Sequence, residues 1–465
     1  MEWRSTWTDP FQAYLKPFAS LIRDRRTWRA LLETVKGIIA SGSVIGTRIA
    51  ASSQELSQSK NGAQRVLRMA KGESTKRSEL DAEELTARLR QVGVGQLRES
   101  KADEVWFIAD GSELCKPYAQ EMPYLMQVRD QNKKLVPGYR TLTVLAVTPK
   151  QRGILYQKVF SSEEPGFVSE PAEVQTMLMT VHEAMKDGQV QSQVTWVLDS
   201  GFDDVAVWRT MWEQQEHVVC RVCQRKRLVQ WQTESKAWSK GPLQEASKRL
   251  KMLAMVRTNM EVPLGKQAHP KRQEVDVEIS ACSVGLTYHS EVRRLSQEPD
   301  QILPKDLWLV QVRILNCPWE PWWLITDWPA ETEAEAMRIF CMYRQRWGVE
   351  ESFKFTKTCF AWDEVQVLDW QAIKTLVALA WVAAGFLYEM GVTFSWEEVQ
   401  LLAKLGGFVP HRGRFPGKIV LLRGLARLLE MLATQAILSR YASEHGTLPP
   451  KITAFLHALS PPNEL

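Results

Sequence analysis

Two periodicities divide the chain. Between residues 1 and 98, apolar side chains recur at helical spacing: Trp28, Leu31, Leu32, Val35, Ile38 and Ile39 share one face of a 3.6-residue repeat. Ser41-Gly42-Ser43 interrupts it, a second stretch runs from Val44 to Ala51, and a Ser-rich turn leads into the basic run Gln64-Arg65-Val66-Leu67-Arg68. The pattern predicts helices, arranged either as a helix–turn–helix reader or as a plain bundle. From residue 104 short β-type runs take over: EVWFIAD (104–110), TLTVLAV (141–147) and ILYQKVF (154–160), with QRG at 151–153 as a hairpin turn. A helix is predicted over 170–185, with Pro171 in its first turn. A strand follows at 194–199, a helix at 204–214 and a strand at 217–222. The order β-β-β-α-β-α-β predicts an α/β fold, a mixed sheet with helices on its faces.

Residues 223–328 intersperse charged residues, Pro and Gly with strand-like runs at 274–280, 286–295, 307–315 and 322–326, which predicts a β-rich insertion. Helical spacing returns from 331 to about 357, and residues 371–440 are mostly helical. Five segments result: helical 1–98, the first part of an α/β core at 99–228, a β-rich insertion at 229–328, the second part of the core at 329–370, and helical 371–465.

Composition narrows the picture. The 465 residues exceed one ordinary core, and 45% hydrophobic with 24% charged residues is the balance of a globular protein. The net charge of +5 is modest, but residues 1–100 hold 17 Lys and Arg against 11 Asp and Glu, a surplus of six. Such a segment suits contact with nucleic-acid phosphates; a solvated helical surface is the other reading. The start, MEWRSTWTDP, shows no basic stretch followed by an apolar one, so no secretory signal is expected. The longest apolar run, Thr375 to Tyr388, is shorter than the ~18 residues of a membrane span and predicts a buried helix. The seven cysteines are scattered, as in a reducing compartment, and the lone Cys220-x-x-Cys223 lacks a second pair to complete a zinc site, so buried thiols are expected. Most of the 19 tryptophans belong in cores; some are candidates for stacking on unpaired bases.

Candidate chemistry comes from acidic residues. VWFIAD ends at Asp110 and TWVLD at Asp199, each followed by small residues. An Asp terminating a buried strand projects a carboxylate at the sheet edge, and two adjacent strands would bring two together. Unpaired, they repel; a divalent cation with a preference for oxygen ligands relieves that repulsion. Taken singly, each Asp also suits a turn or a helix cap. Residues 338–357, drawn as one helix at 100° per residue, place Tyr343, Arg346, Glu350, Lys354 and Lys357 within one 80° stripe beside Met342, Val349 and Phe353. A carboxylate among cations next to a core face suits metal-dependent chemistry on a phosphodiester, with carboxylates holding metal and Arg and Lys holding phosphate. A solvated stripe of i,i+4 ion pairs is the alternative.

The spacing Tyr343-x2-Arg346-x3-Glu350-x6-Lys357 resembles the Tyr-Arg-Glu-Lys signature of bacterial insertion-sequence transposases of the DDE type, in the insertion-sequence-four-like branch that includes the Tn-five transposase. Asp110-Gly111-Ser112 is similar to the family's first Asp with Ser or Thr two residues on, Asp199 to the second, and Glu350 to the final Glu. The resemblance covers 104–228 and 307–357, is poor in 1–98, and is architectural only in the C-terminal helices. It implies an RNase H-like fold carrying a β-rich insertion, with Asp110, Asp199 and Glu350 holding two Mg²⁺ ions, which Mn²⁺ can replace. It implies DNA contacts from Tyr343, Arg346, Lys354, Lys357 and Arg221, and a base-stacking role for Trp322, or for its neighbour Trp323 if the register slips by one.

The activity implied is cut-and-paste transposition in the bacterial cytoplasm, at the nucleoid. The N-terminal helices would bind terminal inverted repeats. A homodimer would pair two double-stranded ends, the C-terminal helices being candidates for the dimer contact. Cleavage would pass through a hairpin before joining to target DNA. A nuclease on the same fold without strand transfer, and a domesticated DNA-binding protein that no longer cuts, are the rival readings.

Overall fold

The computed structural model describes residues 10–459 except 54, 58–60, 72–79, 150, 264–270, 287–306 and 409–415; the side chains of 348–351, 455 and 457–459 are also outside the description. The strand expected over 286–295 lies outside the described residues beyond Leu286. The chain divides into two compact units, one of Met1–Arg88, Tyr118–Pro123 and Lys354–Leu465, the other of Leu89–Pro117 and Tyr124–Phe353.

The first unit is helical. Its described helices include Arg25–Ser41, Gly46–Ser52, Gly62–Lys71, Trp370–Thr393, Trp396–Leu405 and Lys418–His445. Asp24 caps the first of these by accepting from the backbone N–H of Arg26 and Thr27, and Gly42, at φ 59°, ends it in the left-handed conformation at the expected Ser-Gly-Ser break. Helix Trp370–Thr393 contains the apolar run and is buried along most of its length. It is long and apolar enough to cross a membrane, but that surface is spent on protein contacts. The Tyr14 hydroxyl donates to the Val382 carbonyl at 3.1 Å, Phe11 meets Phe386 edge-on at 5.0 Å, and the Thr375 hydroxyl donates to the Leu80 carbonyl at 3.3 Å. These contacts revise the expected division into separate domains at 1–98 and 371–465. The two helical segments belong to one compact unit and pack against each other within it.

The second unit is built on a mixed twelve-stranded sheet. Its strands are β1 Glu104–Cys115, β2 Met126–Arg129, β3 Leu135–Val147, β4 Arg152–Phe160, β5 Gln193–Leu198, β6 His217–Arg221, β7 Leu228–Gln232, β8 Trp238–Pro242, β9 Lys251–Val262, β10 Lys271–Leu286, β11 Leu307–Ile314 and β12 Trp322–Thr326. Their spatial order is β2-β3-β1-β5-β6-β12-β11-β10-β7-β8, with β4 on β3 and β9 on β10. Among the described pairs, β1–β5 and β5–β6 are parallel and the rest antiparallel. Helices Glu170–Asp187 and Val205–Glu213 bury Met177, Leu178, Val181, Val205, Trp208 and Met211 in one core with Phe107, Trp196 and Val218 of the sheet. Ser169 and Asp204 cap these two helices with their side chains.

The expected β-rich segment 229–328 continues the central sheet, β12 pairing with β6. Two expectations change. The helix expected over 331–357 is two helices, Glu333–Arg344 and Trp347–Phe360, broken at Gln345-Arg346. The hairpin turn falls at Thr148–Gln151 rather than at 151–153, with the Thr148 N–H donating to the Gln151 carbonyl at 2.9 Å and β4 starting at Arg152.

Gly138 of β3 marks a tight approach between β1, β3 and the edge strand β2. A Cβ there would press on the Leu114 carbonyl of β1 and lie 2.6 Å from Cγ2 of Val128 on β2. At Gly111 a Cβ would meet ordinary contacts, 3.5 Å from the Thr141 carbonyl. Gly138→Ala is expected to lower unfolding stability by about 1–3 kcal/mol, measured by urea denaturation, with Gly111→Ala the milder substitution. Equal midpoints for Gly138→Ala and wild type would refute the close-approach argument.

Candidate active site

Strand alternation sorts the sheet's residues by face. Val105, Phe107 and Ala109 of β1, Trp196 and Leu198 of β5, Val218 and Cys220 of β6, and Trp323 and Ile325 of β12 belong to the core described above. The intervening residues, Asp110, Asp199, Arg221 and Trp322, therefore share the opposite face. Register then places them. Ala109 pairs with Leu198, Leu198 with Cys220, and Leu324 with Arg221. One step further along, Asp110, Asp199 and Arg221 form a row across β1, β5 and β6, with strand spacing of about 4.8 Å. Asp199 follows the last residue of its strand, as expected. Asp110 does not: β1 runs on to Cys115 against β3, and only the ladder to β5 ends at Ala109.

Arg346 lies at the break between the two helices and is 4% exposed. Its Nη1 is 3.8 Å from Asp110 Oδ2 and 3.9 Å from Asp199 Oδ2. One guanidinium thus spans both carboxylates, just beyond hydrogen-bond length, and offsets their repulsion. Asp110 Oδ1 accepts from the Gly111 N–H at 2.8 Å. Asp199 Oδ1 is a buried oxygen with no hydrogen-bond partner among the described residues. Tyr343 is 1% exposed; its hydroxyl likewise has no described partner, and burial pushes its phenol well above the usual range.

The backbone of Glu350 lies in helix Trp347–Phe360, and its side chain is outside the described residues. Among the described residues no group of three His, Cys, Asp or Glu could hold a metal ion. Lys354 and Lys357 belong to the helical unit, where Lys354 is exposed and the Lys357 ammonium lies 5.6 Å from the Trp362 ring. The single stripe drawn from Tyr343 to Lys357 therefore does not exist as drawn, because the helix axis is interrupted within it.

Aromatic residues gather beside this row. Trp322 is 4% exposed and packs at 6.5 Å on Phe340, 5.4 Å from Tyr343 and 5.4 Å from Trp347. Trp319 meets Trp347 at 5.9 Å. A cleft of about 450 Å³ is lined by Arg221, Trp319, Glu320, Trp322 and Trp347. Trp323 points into the core on the other face, with the Arg225 guanidinium 5.0 Å from its ring, so of the two adjacent tryptophans it is Trp322 that faces the cleft. Trp319, Glu320 and Trp347 line the cleft without having stood out in the sequence, where the signal for them is the position of Trp347 directly after Arg346.

A buried clamp sets the distance between the ends of β5 and β6. Asp203 Oδ1 pairs with Arg227 Nη1 at 2.6 Å, both side chains being 2% exposed. Asp203 Oδ2 accepts from the backbone N–H of Cys223 at 2.7 Å and of Gln224 at 2.9 Å. Arg227 also donates to the Asp203 carbonyl at 3.0 Å and lies 4.5 Å from the Trp208 ring. The turn after Asp199 and the loop after Arg221 are thereby held together. Cys220 is buried, its thiol pushed up by that burial, whereas Cys223 is exposed, which corrects the expectation that both are buried.

The two described carboxylates, adjacent and with one buried oxygen uncommitted, fit a hard divalent cation. No family model matches the sequence, and no curated protein does. Among solved structures, the chain is similar to the piggyBac transposase in its synaptic complex with hairpin DNA, at a TM-score of 0.40 and 11% identity. That similarity covers 80% of this chain and 61% of the other, so the chain spans less than two thirds of that protein.

Asp203→Ala leaves Arg227 charged and buried, and is expected to cost about 3–5 kcal/mol, read as a lower urea midpoint. Adding Arg227→Met should recover part of the loss. Independent, additive effects of the two substitutions would show that no coupled pair exists.

Proposed function

We propose that this chain is a cut-and-paste DNA transposase of the DDE type. The observation that carries the reading is the matched placement of Asp110 and Asp199 on neighbouring parallel strands, with Arg346 spanning both. The Tyr343-Arg346-Glu350-Lys357 spacing supports it independently.

In this reading Asp110, Asp199 and Glu350 hold the divalent ions. When bound, such ions lower the barrier by activating the attacking oxygen and stabilising the leaving one. Arg221 and Arg346 bring positive charge to the phosphate being cleaved, and the buried Tyr343 hydroxyl supplies a donor beside it. Water adds to phosphorus as the P–O3′ bond breaks, leaving a 3′-hydroxyl and a 5′-phosphate. The 3′-hydroxyl then attacks a phosphodiester of the opposite strand, forming a hairpin as the P–O3′ bond there breaks and releases the flanking DNA; water reopens the hairpin, and the regenerated 3′-hydroxyl attacks a target phosphodiester, displacing the target 3′-oxygen. The cleft of Trp319, Trp322 and Trp347 offers flat apolar walls to a base displaced from its stack, and Arg221 at its rim favours the accompanying phosphate. Lys354 and Lys357 add phosphate contacts. The basic N-terminal helices bind the terminal inverted repeats, and a homodimer pairs two ends.

The test incubates protein, Mg²⁺ and end DNA with a supercoiled target. Wild type is expected to give cleaved ends and joined product, and Asp110→Asn to lower both on the order of 100-fold or more. Cleavage without joining would identify a nuclease instead; identical binding and processing by wild type and Asp110→Asn would remove the catalytic assignment. Trp322→Ala is expected to leave nicking nearly intact while hairpin formation falls about tenfold, measured on denaturing gels. Equal loss of the two steps would make Trp322 a packing residue only.

A further inference from the structure

The row of polar residues continues past Asp110 in the other direction. Asp110 pairs directly with Thr143 on β3, and Thr143 pairs directly with Gln157 on β4. Directly opposed residues of antiparallel strands share a face with side chains about 5 Å apart. Gln157, Thr143 and Asp110 therefore line up on the same face as Asp199 and Arg221.

The surroundings of Thr143 and Gln157 are apolar and buried. Thr143 is 0% exposed and Gln157 4%, and the neighbouring positions on this face include Ile108, Leu145, Ile154 and Val159, all buried. Thr141, the next polar residue on β3, is accounted for: its hydroxyl donates to the Ser112 carbonyl at 2.9 Å. Thr143 Oγ1 and Gln157 Nε2 are not: both atoms are buried and neither has a hydrogen-bond partner among the described residues. Buried polar atoms are almost always bonded, so two adjacent exceptions in one row beside a catalytic carboxylate call for a cause. A second feature lies at the same place. The β3–β4 register shifts between Val144 and Leu145, one residue past the Thr143–Gln157 pair, and such bulges re-aim side chains next to active sites.

We infer that Thr143 is a positioning residue for Asp110, and that Gln157 positions Thr143 in turn. With Asp110 holding a divalent cation, the Thr143 hydroxyl would donate to an Asp110 carboxylate oxygen. The Gln157 amide donates to Thr143 Oγ1, which fixes the direction of that hydroxyl. The row closes into a chain of donors ending on Asp110, in the manner of the outer partners that orient metal-binding carboxylates. The inference rests on the reading of Asp110 as a metal ligand.

The test measures Mn²⁺ affinity by electron paramagnetic resonance, with thermal melting in parallel and no DNA present. Thr143→Val keeps the shape and removes the hydroxyl. It is expected to weaken Mn²⁺ binding about tenfold without lowering the melting temperature, since the hydroxyl it removes has no hydrogen-bond partner among the described residues. Thr143→Ser, which keeps the donor, should bind within about twofold of wild type. Gln157→Leu should weaken binding in the same direction and serves as the second variant if Thr143→Val does not fold. Asp110→Asn is the control that separates the two claims. If it weakens Mn²⁺ binding while Thr143→Val and Gln157→Leu do not, the positioning role is overturned and the metal-site reading stands. If Asp110→Asn binds Mn²⁺ as wild type does, the metal-site reading itself fails.

Discussion

The parallel pairing of β1 with β5 is the constraint on which the rest of the site depends. Two carboxylates one strand apart, on the same face and at the same level, repel each other, and partial burial strengthens that repulsion. Such an arrangement persists only if positive charge is brought to it. In this chain the charge comes from Arg346, almost fully buried and within 4 Å of both aspartates. The guanidinium stands just outside hydrogen-bond length of both Oδ2 atoms, close enough to offset the repulsion of the pair. The uncommitted Asp199 oxygen follows from the same geometry.

Around that pair the structure spends stability on precision. The Asp203–Arg227 pair is buried at both ends, and desolvating two charges is costly even when they meet. The extra bonds to the Cys223 and Gln224 N–H groups offset that cost and tie the turn after Asp199 to the loop after Arg221. Trp208 covers the arrangement from the core side. On the other side of Arg221, the tryptophans of the cleft meet edge to face rather than stacked, which is a favoured geometry for aromatic pairs and leaves ring faces to line the space between them. The site is thus a row of charge across adjacent strands, with an aromatic recess at one end and, at the other, buried polar atoms that have no hydrogen-bond partner among the described residues.

Much of this could be read from residue order, and the exceptions have physical reasons. The strands carrying Asp110 and Asp199 were legible because fully buried strands read as continuous apolar runs. That β1 continues beyond Asp110 was not, because Gly111-Ser112-Glu113 looks like a turn and is held extended only by its ladder to β3. The break at Gln345-Arg346 was illegible for the opposite reason. Neither Gly nor Pro occupies it, Gly348 standing two residues further on inside the next helix, and the helical repeat of apolar residues carries on through it, while Arg346 lies near the two carboxylates. The choice between Trp322 and Trp323 could not be made from adjacency; it required the register of β12 against β6, which fixes the face of every residue along the strand.

The amino-acid sequence by itself determined the local elements, since caps, turns and apolar periodicity act over a few residues. It also determined the inventory of acids, cations and aromatics and their spacing, which is enough to suggest the chemistry. Tertiary structure alone decided which of them meet. Asp110 and Asp199 are 89 residues apart in the chain and adjacent in the sheet. The β-rich segment joined the central sheet, and Phe11 and Tyr14 pack against helix Trp370–Thr393. Each of these outcomes depends on strand pairing or burial between distant segments, and such contacts leave no trace in the local pattern of either partner.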